Sequence, residues 1–150
     1  MIGLDSSAII DFFKGDEKLK KLINDVEDSL AANQIVYLEL MFGIDFDNIS
    51  HLNEERFYDN FFDSLIVFDL DKNAGKKSSK IFRELLKKGE KIEEFDCVIA
   101  GIYLSRGVDK IITRNAKHFE KIKGLKVLSY WGLRNITFPN KFKIIFITLS

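Results

Sequence analysis

The sequence predicts a single three-layer α/β/α domain on a central, mainly parallel sheet of four to five strands, and three observations carry that reading. Short apolar runs alternate with amphipathic segments at helical spacing, a pattern that implies parallel strands with crossover helices on both faces. The length, 150 residues, suits one domain and falls short of two ordinary ones. The composition, 46% apolar with 14 Phe, offers ample surface to offset conformational entropy. The single cysteine, Cys97, excludes a disulfide framework and any Cys-based zinc site.

The elements follow in order. Met1-Ile2-Gly3-Leu4 reads as a buried strand, and Asp5-Ser6-Ser7 then opens a helix that stops at Lys14-Gly15. Asp5 or one of the serines is expected to cap that helix. A second helix is expected from Asp16 to Leu30, with Leu19, Leu22, Ile23 and Val26 on one face. Gln34-Ile35-Val36 predicts a short strand leading into a helix through residues 37–42, and residues 52–62 form another amphipathic segment. Leu65-Ile66-Val67-Phe68 predicts a strand. Residues 72–88 predict a helix with Ala74, Ser78, Ile81 and Leu85 inward, Lys76, Lys80, Arg83 and Lys87 outward, and Gly89 ending it. The segment from Phe95 to Ser105 is apolar nearly all round and predicts a buried helix. A strand at residues 110–113, a short helix at 116–122 and a last strand at 126–128 complete the pattern. The domain is expected to occupy residues 1–134. Residues 135–150, with the only proline, Pro139, form an extra apolar tail that suits an edge strand or a dimer contact.

No apolar run approaches the roughly 18 residues of a membrane span, and the acidic N-terminus does not suit a signal peptide. A cytoplasmic protein is therefore expected. Net charge is zero but uneven: residues 1–75 carry 6 Lys/Arg against 16 Asp/Glu, and residues 76–150 carry 17 against 7. An acidic half paired with a basic half would explain this, and so would a site where acids gather metal and bases gather a polyanion.

Ligands of open parallel sheets sit beyond the carboxyl ends of the strands. Asp5, Glu39, Asp96 and Asn115 all follow or flank such ends, so four oxygen-bearing side chains from four connections can converge. Carboxylates brought together repel one another, and a hard divalent cation, Mg²⁺ or Mn²⁺, is their natural partner. The structural alternatives remain open. Asp5 and Asp96 each stand at a helix start, where capping and the macrodipole explain an Asp. Glu39 would face solvent if residues 37–42 are amphipathic. Asp69-Leu70-Asp71-Lys72-Asn73 opens like a calcium loop, but Ala74 replaces the required Gly and Lys80 the required Glu. His51 and His118 lack metal-ligand spacing, and Cys97 reads as a core thiol. Arg114, Lys117, Lys121 and Lys123 lie near Asn115 and can attract phosphates.

Four segments carry a family resemblance: Leu4-Asp5-Ser6-Ser7-Ala8-Ile9-Ile10-Asp11-Phe12-Phe13-Lys14-Gly15, Leu38-Glu39-Leu40-Met41-Phe42-Gly43, Asp96-Cys97-Val98-Ile99-Ala100-Gly101 and Thr113-Arg114-Asn115-Ala116-Lys117-His118-Phe119. In this order and spacing, over residues 1–128, the chain resembles PIN-domain proteins of the VapC toxin type. The resemblance implies a Mg²⁺- or Mn²⁺-dependent endoribonuclease, silenced by a cognate antitoxin protein and often a homodimer. It implies that Asp5, Glu39 and Asp96 are the three acids of the site, with Asp5 and Asp96 the direct metal ligands. Asn115 falls where many members carry a fourth Asp, a loss for which Glu120 or Glu93 would compensate. Ser6 or Ser7 would assist the site, and Arg114 or a nearby lysine such as Lys117 would contact substrate. The alternatives are a catalytically silent PIN-like module that binds RNA or protein, a phosphotransfer receiver domain, and a scaffold assembled through the tail.

Overall fold

The computed structural model describes residues 1–90 and 92–131. Five strands, β1 (Ile2–Leu4), β2 (Leu30–Asn33), β3 (Ile66–Phe68), β4 (Lys110–Ile112) and β5 (Lys126–Leu128), form one sheet of order β3-β2-β1-β4-β5. Every neighbouring pair is parallel. Seven helices flank it among the described residues: α1 (Ser6–Phe13), α2 (Glu17–Asp25), α3 (Gln34–Phe42), α4 (Ile49–Asp63), α5 (Lys72–Lys87), α6 (Glu94–Ser105) and α7 (Ala116–Phe119). The predicted α/β/α class and parallel sheet are those observed, with five strands.

The expected strand at 34–36 is not there. Ile35 and Val36 have the β-branched side chains that favour strands, but Asn33 Oδ1 accepts hydrogen bonds from the N–H groups of both, at 3.0 and 3.1 Å. That cap starts α3 at Gln34. The strand lies one step earlier, on Leu30–Asn33, where Ala31 and Ala32 are buried between β1 and β3. The second helix accordingly ends at Asp25, well before Leu30. Asn48 caps α4, accepting from Ser50 N–H at 3.0 Å, and the helix begins at Ile49, three residues ahead of the expected segment. The short helix α7 ends at Phe119. The tail 135–150 lies outside the described residues.

The sheet's order sets the site. From β1 the chain builds outward to β2 and β3, then α5 and α6 carry it back to β4 on the opposite side of β1. The strand order therefore reverses between β1 and β4, and ligands gather beyond the carboxyl ends at such a reversal. Both of these strands have a fully buried core: Ile2, Leu4, Ile111 and Ile112 are each at most 2% exposed, as strands covered on both faces should be.

Two close approaches fix α6 in place. A Cβ on Gly3 would collide with the ring of Tyr103 at 2.6 Å, so the bare glycine lets α6 lie against β1. The Tyr103 hydroxyl then donates to the Leu4 carbonyl at 2.5 Å, one residue before Asp5. On the other side, a Cβ on Gly101 would collide with Ser78 Oγ and with the Ser78 backbone, so α5 and α6 pack with their backbones in near contact. Gly89, at φ +70°, turns the chain out of α5 in a left-handed conformation and returns it toward α6. Gly101→Ala is accordingly expected to destabilise the fold by about 1–3 kcal/mol, the range for overpacking against backbone. Denaturant unfolding of the purified variant measures this, and an unchanged midpoint would show that the two helices can separate freely.

Candidate functional site

Asp5 follows β1, and its N–H donates to the Ile112 carbonyl of β4 at 3.0 Å. It occupies the N-cap position of α1, yet its side chain makes no capping bond. Instead Oδ2 accepts from Ser7 Oγ at 2.6 Å and from Thr113 Oγ1 at 2.8 Å. The carboxylate is 2% exposed, and two hydroxyls from opposite sides of the reversal fix its orientation. The capping role open to Asp5 in the sequence is thus not the one it plays.

Asp96 stands in the first turn of α6, again without capping the helix, whose N-cap residue is Glu93. Asp96 Oδ2 lies 2.7 Å from His118 Nδ1 on α7. Burial holds its carboxyl above the usual range, the neighbouring negative charges of Asp5 and Glu93 add to that, and His118 opposes it. His118, which its sequence spacing sets aside, is thereby brought into the site.

Glu39 lies on α3, half-buried, and joins the same cluster. Loss of water pushes its carboxyl up to about 7, Asp5, Asp96 and Glu93 push the same way, and a hydrogen bond from Ser6 acts against them. Its Oε2 is a buried acceptor without a hydrogen-bond partner among the described residues. A buried carboxylate oxygen that no protein donor meets is rare and costly. The three predicted acids are thus brought together, and Glu93 is the further acid whose charge reaches them.

The loop after β4 ties the site together. Thr113 Oγ1 donates to Asp5 and accepts from Asn115 N–H at 2.9 Å, and Ser7 Oγ accepts from Arg114 N–H at 3.1 Å. Asn115 contributes its backbone to this network and holds an exposed position at the start of α7. The Arg114 guanidinium reaches Asp11 Oδ1 at 3.0 Å, and the Tyr130 hydroxyl donates to Asp11 Oδ2 at 2.7 Å. Arg114 is thus anchored beside the site, through an acid on α1. Lys117 is exposed on α7. Thr113, His118, Asp11 and Tyr130 are the residues that sequence reasoning missed as parts of the site. The first two sit in the motif beginning at Thr113, where their alternation with Arg114 and Asn115 is the only available signal.

Among the described residues, no group of three or more His, Cys, Asp or Glu side chains is arranged, as it stands, to hold a metal ion. The donor set nevertheless fits a hard cation. Asp5 and Asp96 add to the cost of ionising Glu39, whose own buried Oε2 has no hydrogen-bond partner among the described residues, and a cation would relieve both the repulsion and the missing contact.

Comparison with known proteins supports a family assignment. The family profile described as "PIN domain" matches residues 2–125. A "Ribonuclease VapC1" of Methanocaldococcus jannaschii is 30% identical over 126 residues, covering 83% of this chain and 84% of that protein. A "tRNA(fMet)-specific endonuclease VapC" of Salmonella typhimurium is 27% identical over 125 residues, covering 83% and 93%. Among solved structures, DNA-bound VapBC from Salmonella typhimurium aligns with a TM-score of 0.75 at 26% identity, over 87% of this chain and 99% of that one.

The raised Glu39 carboxyl has a measurable consequence. Between the ordinary value of 4.5 and about 7, the folded metal-free chain holds a proton on Glu39 that the unfolded chain has released. Stability in EDTA should therefore fall as pH rises through that window and level off above it. Glu39→Gln should reduce this slope, leaving the smaller contribution of Asp96. Thermal melts at several pH values measure it, and identical slopes for parent and variant would contradict the burial of Glu39.

Proposed function

This chain belongs to the PIN-domain family, and we propose that it is a metal-dependent endoribonuclease, the toxin of a toxin–antitoxin pair. The observation that carries this reading is the unpartnered Oε2 of Glu39 among Asp5 and Asp96 at the strand-order reversal. The names of the relatives, two of them ribonuclease or endonuclease, support the reaction class. The VapBC structures that the fold matches support an antitoxin partner.

Asp5 and Asp96 would hold Mg²⁺ or Mn²⁺, with Glu39 completing the set. The bound cation supplies a Lewis acid for the phosphoryl oxygen and a lower pKa for the attacking water. The rest falls to side chains. Ser7 and Thr113 hold Asp5 by its Oδ2. His118 holds Asp96 in the same manner. Glu39 would orient the attacking water or take its proton. Lys117 offsets charge developing on the phosphate, and Arg114, drawn back by Asp11, contributes more weakly. Water adds to phosphorus, the P–O3′ bond breaks, and the products carry a 5′-phosphate and a 3′-hydroxyl. Substrate and enzyme meet in the cytoplasm, and a homodimer is the expected assembly. Among the described residues no helix is long and apolar enough to cross a membrane.

Asp5→Asn, Glu39→Gln and Asp96→Asn should each lower Mg²⁺-dependent cleavage of a mixed RNA pool by roughly 100-fold or more. Circular dichroism confirms that each variant is folded. Parent-like cutting by folded Asp5→Asn and Asp96→Asn would remove the chemical basis of the proposal. RNA binding by the parent without metal-dependent cleavage would point to a catalytically silent PIN-like module.

A further inference from the structure

A second cleft, of about 330 Å³, opens beside the carboxylates between the start of α7 and the end of β5. Arg114, Asn115, Lys117, His118, Ser129 and Trp131 line it. We propose that this cleft takes the base of an unpaired nucleotide next to the scissile phosphate, stacked on Trp131 and read at its edge by Asn115. This rests on the ribonuclease reading above and specifies which form of RNA that site accepts.

Four observations support it. Trp131 is the chain's only tryptophan and is 59% exposed, a large apolar face that folding has not buried. Trp131 N–H donates to Ser129 Oγ at 3.3 Å, and Ser129 Oγ donates to the Trp131 carbonyl at 3.1 Å. An exposed aromatic face beside a polar cleft is a platform on which unstacked bases settle. Asn115 is the second observation. An Asn at a helix N-cap ordinarily bonds the free N–H groups of the first turn, but the Asn115 side chain makes no such bond. Its amide therefore keeps a donor and an acceptor for the edge of a base.

The third observation is charge. Lys117 lines the cleft with the charge that a nucleotide's phosphate requires, and Arg114, held by Asp11, adds to it more weakly. The fourth is continuity with the catalytic cluster. His118 lines the cleft and also touches Asp96 at 2.7 Å, while Thr113 bridges the Asn115 N–H to Asp5. A nucleotide in the cleft would thus stand beside the side chains that hold Asp96 and Asp5.

The lone tryptophan makes the test direct. The full chain in EDTA, where RNA stays intact, is titrated with single-stranded homopolymers of about twelve nucleotides and with a duplex of the same length. Trp131 fluorescence and the anisotropy of a dye-labelled oligomer are followed together. The expected result is saturable quenching by at least one single strand, in step with the anisotropy, and none by the duplex. In Mg²⁺, Trp131→Ala should raise KM by roughly tenfold with little change in kcat, and Trp131→Phe should recover most of that loss. Asn115→Ala should narrow the differences among the four homopolymers. Binding by anisotropy without quenching, or equal quenching by duplex, overturns the stacking subsite while leaving the ribonuclease reading in place. Absence of any binding overturns the stacking subsite, whereas the ribonuclease reading falls only if the parent fails to cut the mixed RNA pool in Mg²⁺.

Discussion

Like charges held together out of water organise this molecule. Asp5, Glu39 and Asp96 come from three separate connections, and each is at least partly buried, so each raises the cost of ionising the others. A fold left free to relax would turn these carboxylates outward. Here the protein holds two of them inward through particular oxygens, Ser7 and Thr113 on Asp5 and His118 on Asp96, while Ser6 eases the ionisation of Glu39. What the protein does not supply is a partner for Glu39 Oε2. The remaining deficit is one of positive charge, and it localises to the centre of the cluster.

Maintaining that arrangement requires a stiff frame, and the sequence spends its small residues on it. Gly3 lets the ring of Tyr103 lie against β1, and Gly101 lets α5 and α6 meet backbone to backbone at Ser78. Tyr103 then bonds the Leu4 carbonyl, so the helix that carries Asp96 and the strand that precedes Asp5 share one anchor. On the far side of the site, Asp11 gathers Arg114 and Tyr130, tying α1 to the segments after β4 and β5. These contacts couple packing to electrostatics: movement of α6 by a fraction of an ångström would alter how strongly Asp96 and Asp5 repel.

Much of this was legible in the sequence where the signal is local. The alternation of strands and helices predicts the sheet, and acids at strand ends predict where Asp5, Glu39 and Asp96 fall along the chain. Local signals also misled. Ile35 and Val36 look like a strand, but Asn33 supplies a cap to both, and the buried Ala31-Ala32 pair gives no β-propensity to mark the true strand. Asp5 and Asp96 look like caps and bond elsewhere. The groups they bond are invisible to periodicity, because His118 lies 22 residues from Asp96 and Thr113 lies 108 from Asp5. Tyr130 and Asp11, 119 residues apart, meet only because β5 runs parallel beside β4. Such pairings are properties of the folded sheet, and a single sequence does not display them.

The central claim is that the clustered carboxylates are completed by a divalent cation, and metal-linked stability tests it most directly. Mn²⁺ is titrated calorimetrically into the metal-free chain and into its Asp5→Asn variant, and both are melted across the same concentrations. At about one hundred times Kd the parent should gain roughly 2.7 kcal/mol of stability, with a matching rise in Tm, while the variant should bind more weakly and gain less. A parent that neither binds Mn²⁺ nor melts later, or a variant that responds as the parent does, would contradict the account.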